Sequence, residues 1–239
     1  MAQIRAAFAL SETTAERIRN FRIERLAQIA ANSGTPITLN EPPFYVLHIV
    51  PLTAFDPAVR YDTSSMAHLA KYLLPMGGRG IFDRHNFDGY LTYSHDGEAA
   101  YAYLQVFRNG IIESVRAAYE HSAVTRRRLI PSAQYEEDVL DALSRFLELQ
   151  KQLGVEPPLL IMLSLMKVAG YSLTNEISLM GDKVIDRDAL ILPEVMIDDF
   201  GADLNNVMRG LFDAVWNAAG YDRCRNYDAK GQRIKRSTW

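Results

Sequence analysis

The sequence predicts an α+β fold: a mixed, largely antiparallel sheet with a β-meander over about 90–116, and three long amphipathic helices packed on it. Three observations carry this. Asp96-Gly97 and Asn109-Gly110 stand between alternating segments, and such dipeptides favour tight hairpin turns because they tolerate positive φ. Short apolar runs at 44–50, 159–168 and 189–197 have the length of buried strands. Segments 13–32, 132–153 and 203–219 repeat apolar residues at helical spacing.

Taken in order, Thr13 and Glu16 fit a capping box that starts the first helix, and Gly34 stops it. Ile18, Phe21, Leu26 and Ile29 lie along one face, with Arg17, Arg19, Arg22 and Arg25 on the others. Phe44 to Val50 reads as a buried strand ended by Pro51. Residues 56–88 read as irregular, with a short helix over 64–74 capped by Ser64 or Ser65 and a flexible Met76 to Gly80.

Two-residue turns at both dipeptides pair Tyr93 with Ala100, Leu91 with Ala102, Val106 with Glu113 and Leu104 with Val115. One face then carries Leu91, Tyr93, Ala100, Ala102, Leu104, Val106, Ile111 and Val115. The other carries Tyr90, Thr92, Tyr101, Tyr103, Gln105, Phe107, Ser114 and Arg116. Ser132 is placed to cap the second helix and Asp203 the third, while Pro193 interrupts the last strand run. Residues 1–239 read as one domain with a basic tail over 221–239, where six basic residues outnumber two acidic ones.

Composition limits the function classes. Hydrophobic content of 48% and charged content of 23% are those of a globular chain. A net charge of −3 argues against a uniformly basic nucleic-acid binder, though not against a local patch. The lone Cys224 excludes an intrachain disulfide and a Cys-rich zinc site. No run is long enough to span a membrane, and the apolar stretch at 6–10 is too short for a signal peptide. The expected location is cytoplasmic.

Several stretches resemble one family: Phe21 to Leu26, Val46 to Leu52, Asn86 to Ser94, Gln105 to Glu113, and Ala214 to Gly220 with Asn226 to Asp228. Together they are similar to the region that follows the Schlafen-type, AlbA-like domain in bacterial proteins described as ATP-binding and DNA-binding. The resemblance covers almost the whole chain in patches. It implies a C-terminal module whose partners are an N-terminal AlbA-like domain, a second copy of itself, or nucleic acid, in gene regulation or phage defence. It implies no catalytic residue for this region, and the expectation is of a non-enzyme with no cofactor and no metal.

Two constellations are candidates for nucleic-acid contact. Arg126, Arg127 and Arg128, with Arg233, Lys235 and Arg236 of the tail, would bind phosphates, or form solvated loops. Tyr101, Tyr103 and Arg116, with Tyr90 and Phe107, would form an aromatic platform for bases, or pack under a helix. The aspartates at 182, 186, 188, 198, 199 and 203 would suit a metal-dependent nuclease only if three converged, and the solvated reading is preferred. Met76 to Gly80 lacks the Lys-Ser/Thr ending of a phosphate-cradling loop. His48 reads as a hydrogen-bonded core residue, His85 with Asp83 and Asp88 as a weak acid–base pair, and Cys224 between Arg223 and Arg225 as a thiol of lowered pKa.

Overall fold

A computed structural model describes residues 2–117, 128–174, 183–228 and 231–234, and of residues 2–12 the backbone alone. The fold is α+β, with a mostly antiparallel sheet and, among the described residues, four helices: α1 (Ala2–Ala30), α2 (Ser132–Gln152), α3 (Leu204–Ala218) and a 3-10 turn of helix at Met66–Tyr72. The strands are β1 (Phe44–Pro51), β2 (Phe82–His85), β3 (Gly89–His95), β4 (Ala100–Phe107), β5 (Ile112–Arg116), β6 (Leu129–Pro131), β7 (Leu159–Met166), β8 (Ser172–Thr174), β9 (Ala189–Ile191) and β10 (Val195–Ile197). The main sheet runs β10-β7-β1-β5-β4-β3-β2, with β9 also on β7, and every pairing in it is antiparallel. A small parallel pair, β6 with β8, lies apart.

Both faces of the sheet are covered, so its central strands read as unbroken apolar runs. β1 and β7 are buried at every position. Tyr45, Leu47 and Ile49 face a core with α2 and α3, whereas Phe44, Val46 and Val50 face two smaller clusters that include Ile18, Leu26 and Ile29 of α1.

The hairpin turns fall where expected, but their registers differ. At the second, Phe107 N–H donates to Ile111 O and Gly110 alone has positive φ (85°), giving a three-residue connection with glycine in the left-handed region. Val106 therefore pairs with Ile112, and Leu104 with Ser114. At the first, His95 pairs with Ala100 after a bulge, so Tyr93 stands opposite Tyr103 and Leu91 opposite Gln105. Each correction moves strands by an odd number of residues and exchanges faces. Tyr90, Thr92 and Ser114 join the α2 side. Leu91, Tyr93 and Glu113 join Tyr103 on the α1 side.

Two helix starts also differ. α1 begins at Ala2 rather than at the Thr13 capping box, because nothing in the alanine-rich segment before Thr13 breaks a helix. Ser132 does not cap α2; its hydroxyl donates to Thr174 O (2.7 Å) and ties the helix to β8. Asp203 does cap α3, accepting from the N–H groups of Asn205 (3.1 Å) and Asn206 (3.4 Å). Arg22 and Arg25, expected on the outer faces of α1, point inward at the sheet.

Candidate functional site

The densest ionisable constellation lies between α1 and the sheet. His48 of β1 and Glu113 of β5 are direct cross-strand partners, and both are 0% exposed. From α1 above them, Arg25 grips Glu113 with two charge-assisted bonds: Nε donates to Oε2 (2.8 Å) and Nη2 to Oε1 (2.7 Å). The Tyr103 hydroxyl of β4 donates to Oε1 (2.7 Å), and His48 Nε2 lies 2.9 Å from Oε2. An ionised carboxylate only accepts, so Nε2 carries the hydrogen in this contact. His48 is thus the hydrogen-bonded core residue expected of it.

Arg22, one turn earlier on α1, reaches down beside this group. Its Nη2 donates to Leu163 O (3.0 Å), Ser164 Oγ (3.0 Å) and Leu192 O (2.9 Å). Two arginines therefore join the apolar Ile18, Leu26 and Ile29 in docking the helix. Arg25 is held through two nitrogens, and Arg22 Nη2 meets three acceptors, which offsets part of the cost of removing a guanidinium from water.

Burial pushes the Glu113 carboxyl up, but the hydrogen bonds and charges of Arg25 and His48 outweigh it and hold the group at about 2, below its ordinary 4.5. A depressed acid contributes stability that is complete above the unfolded value and disappears as pH falls through the folded one. Between about pH 4.5 and 2 the protein should lose about 3 kcal/mol from this group. Urea melts across that window should show the loss, and a Glu113→Gln protein should lack it; equal acid sensitivity in both would refute this assignment.

A second buried polar group joins α2, α3 and the tail. Trp216 Nε1 donates to Glu136 Oε1 (2.9 Å), and Cys224 Sγ lies 3.3 Å from the same oxygen. Burial raises the Glu136 carboxyl. Burial, then the neighbouring Glu136, also pushes the Cys224 thiol up, the reverse of the expected lowering by Arg223 and Arg225. Those two arginines are not what surrounds the sulfur.

The expected nucleic-acid residues are scattered or engaged. Tyr103 is buried under α1 and bonded to Glu113, so no base reaches it. Arg116 donates to Gly77 O (3.1 Å) and lies over the Tyr101 ring (4.5 Å). The Tyr101 hydroxyl accepts from Arg79 N (3.2 Å). Tyr90 stands on the face opposite Tyr103 and Phe107, so the platform drawn from the sequence does not form. Arg128 is exposed and donates to Ala169 O (3.4 Å), while Arg233 donates to Ala133 O (3.4 Å). Arg126, Arg127, Lys235 and Arg236 lie outside the described residues.

Of the acidic segment, Asp182 also lies outside them. Asp188 pairs with Lys167 (3.1 Å), Asp199 accepts from Gly201 N (2.7 Å) and Asp203 is a helix cap. Among the described residues no group of three or more His, Cys, Asp or Glu is placed to hold a metal ion. Asp83 accepts from the Tyr90 hydroxyl (2.8 Å) and His85 packs edge-on against the same ring, in place of an acid–base pair. Two open clefts, of about 400 and 440 Å³, are lined respectively by residues such as Leu192 and Ala214, and Tyr72 and Arg145. Neither includes a member of the Arg25–Glu113 group. No described helix is long and apolar enough to cross a membrane.

Comparison of the chain with family models, curated proteins and solved structures finds no match.

Proposed function

We propose that the chain is a single, non-catalytic assembly or regulatory module of a Schlafen-type nucleic-acid-binding protein, working in the cytoplasm in gene regulation or phage defence. One observation carries this. The sequence patches that resemble that family supply Arg22 and Arg25 on α1, His48 on β1 and Glu113 on β5, and these are the residues that dock α1 onto the sheet. What resembles the family is thus a scaffold held from within, with its strongest charges spent on each other rather than turned toward a substrate.

The outer surface suits a partner. Ile191 and Met196 are 55% and 49% exposed, and each pairs with a β7 residue whose side chain meets α1. They therefore flank α1, where Ile23 is 57% exposed. Apolar side chains gathered at a sheet edge favour association. In light scattering the 27.0 kDa chain should give a mass of at least twice that value, or should shift when an AlbA-like domain is added. A clean monomer that leaves the AlbA-like domain unbound would refute the proposal.

A further inference from the structure

The aromatic platform expected at Tyr101 and Tyr103 is absent, but another group of rings stands in the open. Phe82 of β2 pairs with Tyr93 of β3, and their rings stack at 5.7 Å and 26°. His95 extends the strip, 4.4 Å from Phe82 and 6.0 Å from Tyr93 between centroids. β2 is the outermost strand, so among the described residues nothing follows Phe82 in the stack, and its side is 52% exposed.

The chemistry around the strip is specific. Strand alternation puts Arg84 on the same face as Phe82, and Asp83 on the other, where the Tyr90 hydroxyl holds it. Arg84 is exposed and uses Nη2 on Pro36 O (2.8 Å), which fixes its stem and leaves further donors for a ligand. Asp96, beside His95, is turned to Asn40 Nδ2 (3.4 Å). About 15 Å along the same hairpin, Phe87 stands 95% exposed at the tip.

That tip is locked. Gly89 N–H donates to Asn86 Oδ1 (2.8 Å), Asn86 Nδ2 donates to the buried Gln105 Oε1 (2.6 Å), and Arg108 Nε donates to Phe87 O (3.3 Å). A phenylalanine held rigidly in water contributes nothing to the core. It does present its ring to solvent from a fixed backbone.

We propose that Phe82, Tyr93 and His95 form a stacking platform for unpaired nucleobases, with Arg84 taking a backbone phosphate and Phe87 receiving a further base. An open-ended ring stack beside a guanidinium fits single strands, whose bases offer free π-faces, and does not fit duplexes, whose bases are already stacked. This site is independent of the assembly proposal, which is read by mass and not by nucleic-acid affinity.

The test is fluorescence anisotropy with a labelled single strand of about 12 nucleotides, and with its duplex, against the full chain. The single strand should bind more tightly than the duplex and weaken steeply between about 50 and 200 mM salt. Phe82→Ala, at a half-exposed position that should not unfold the protein, should weaken it about 5- to 100-fold. Arg84→Gln should reduce the salt slope by about one. Val184→Ser, at a 48% exposed position outside both the ring strip and the association surface, should leave affinity unchanged. No binding at low salt, equal affinity of the Phe82→Ala protein, or a preference for duplex would each overturn the proposal. So would a β2 edge that takes up a peptide strand while oligonucleotides fail to bind.

Discussion

Replacing Glu113 with leucine should destabilise the protein by about 3–5 kcal/mol, the largest loss expected from any single polar substitution here. The carboxylate has four contacts: two from Arg25 and one each from Tyr103 and His48. Its removal leaves a guanidinium, a phenol and an imidazole facing one another in a largely buried space. The Arg25 side chain is 14% exposed, so it cannot easily swing out to be hydrated. The expected structural result is that α1 loosens, since Arg25 and Arg22 are its main polar attachments to the sheet. Urea unfolding should show a lower midpoint, and hydrogen exchange should rise first in α1. A midpoint within error of the parent protein would mean that the apolar contacts of Ile18, Leu26 and Ile29 suffice.

Trp216→Ala should cost about 3–5 kcal/mol on the other face of the sheet. The indole is fully buried and meets the Tyr221 ring edge-on at 5.1 Å. Its N–H also satisfies Glu136 (2.9 Å). Truncation therefore opens a cavity and removes one of the donors that make a buried carboxyl tolerable. Trp216→Phe should separate the two effects, keeping most of the volume and losing only the hydrogen bond, at about 1–3 kcal/mol. Equal losses in the two proteins, measured by urea unfolding, would show that the Glu136 contact dominates over packing.

Much of this was legible in the sequence, and the most consequential difference is one of register. The long apolar runs of β1 and β7, the stripe of α2 and the Asp203 cap are local signals, and each element lies where its pattern places it. Register is not local. Asn109-Gly110 marks a turn correctly, yet the dipeptide does not say whether the loop has two residues or three. With three, Glu113 turns from the side of Val106 to that of Tyr103 and meets His48. That single step hid the buried ionic group.

The arginines of α1 were misplaced for a related reason. Charged residues at helical spacing read as a solvated face unless the partner across the interface is known, and a two-residue turn puts Glu113 on the other side of the sheet. The pair was thus legible only jointly. Phe82 and Phe87 gave no periodic signal, because β2 is short and all four of its residues are exposed.

The claim that Arg25 and Glu113 form one internal clamp is tested most directly by a double-mutant cycle. Arg25→Met, Glu113→Leu and the combined protein would be compared by urea unfolding. Because the paired apolar replacement leaves no stranded guanidinium or carboxylate, the double variant should be more stable than either single one, with a coupling of about 2–3 kcal/mol. Additive losses, with no recovery in the double variant, would contradict the clamp.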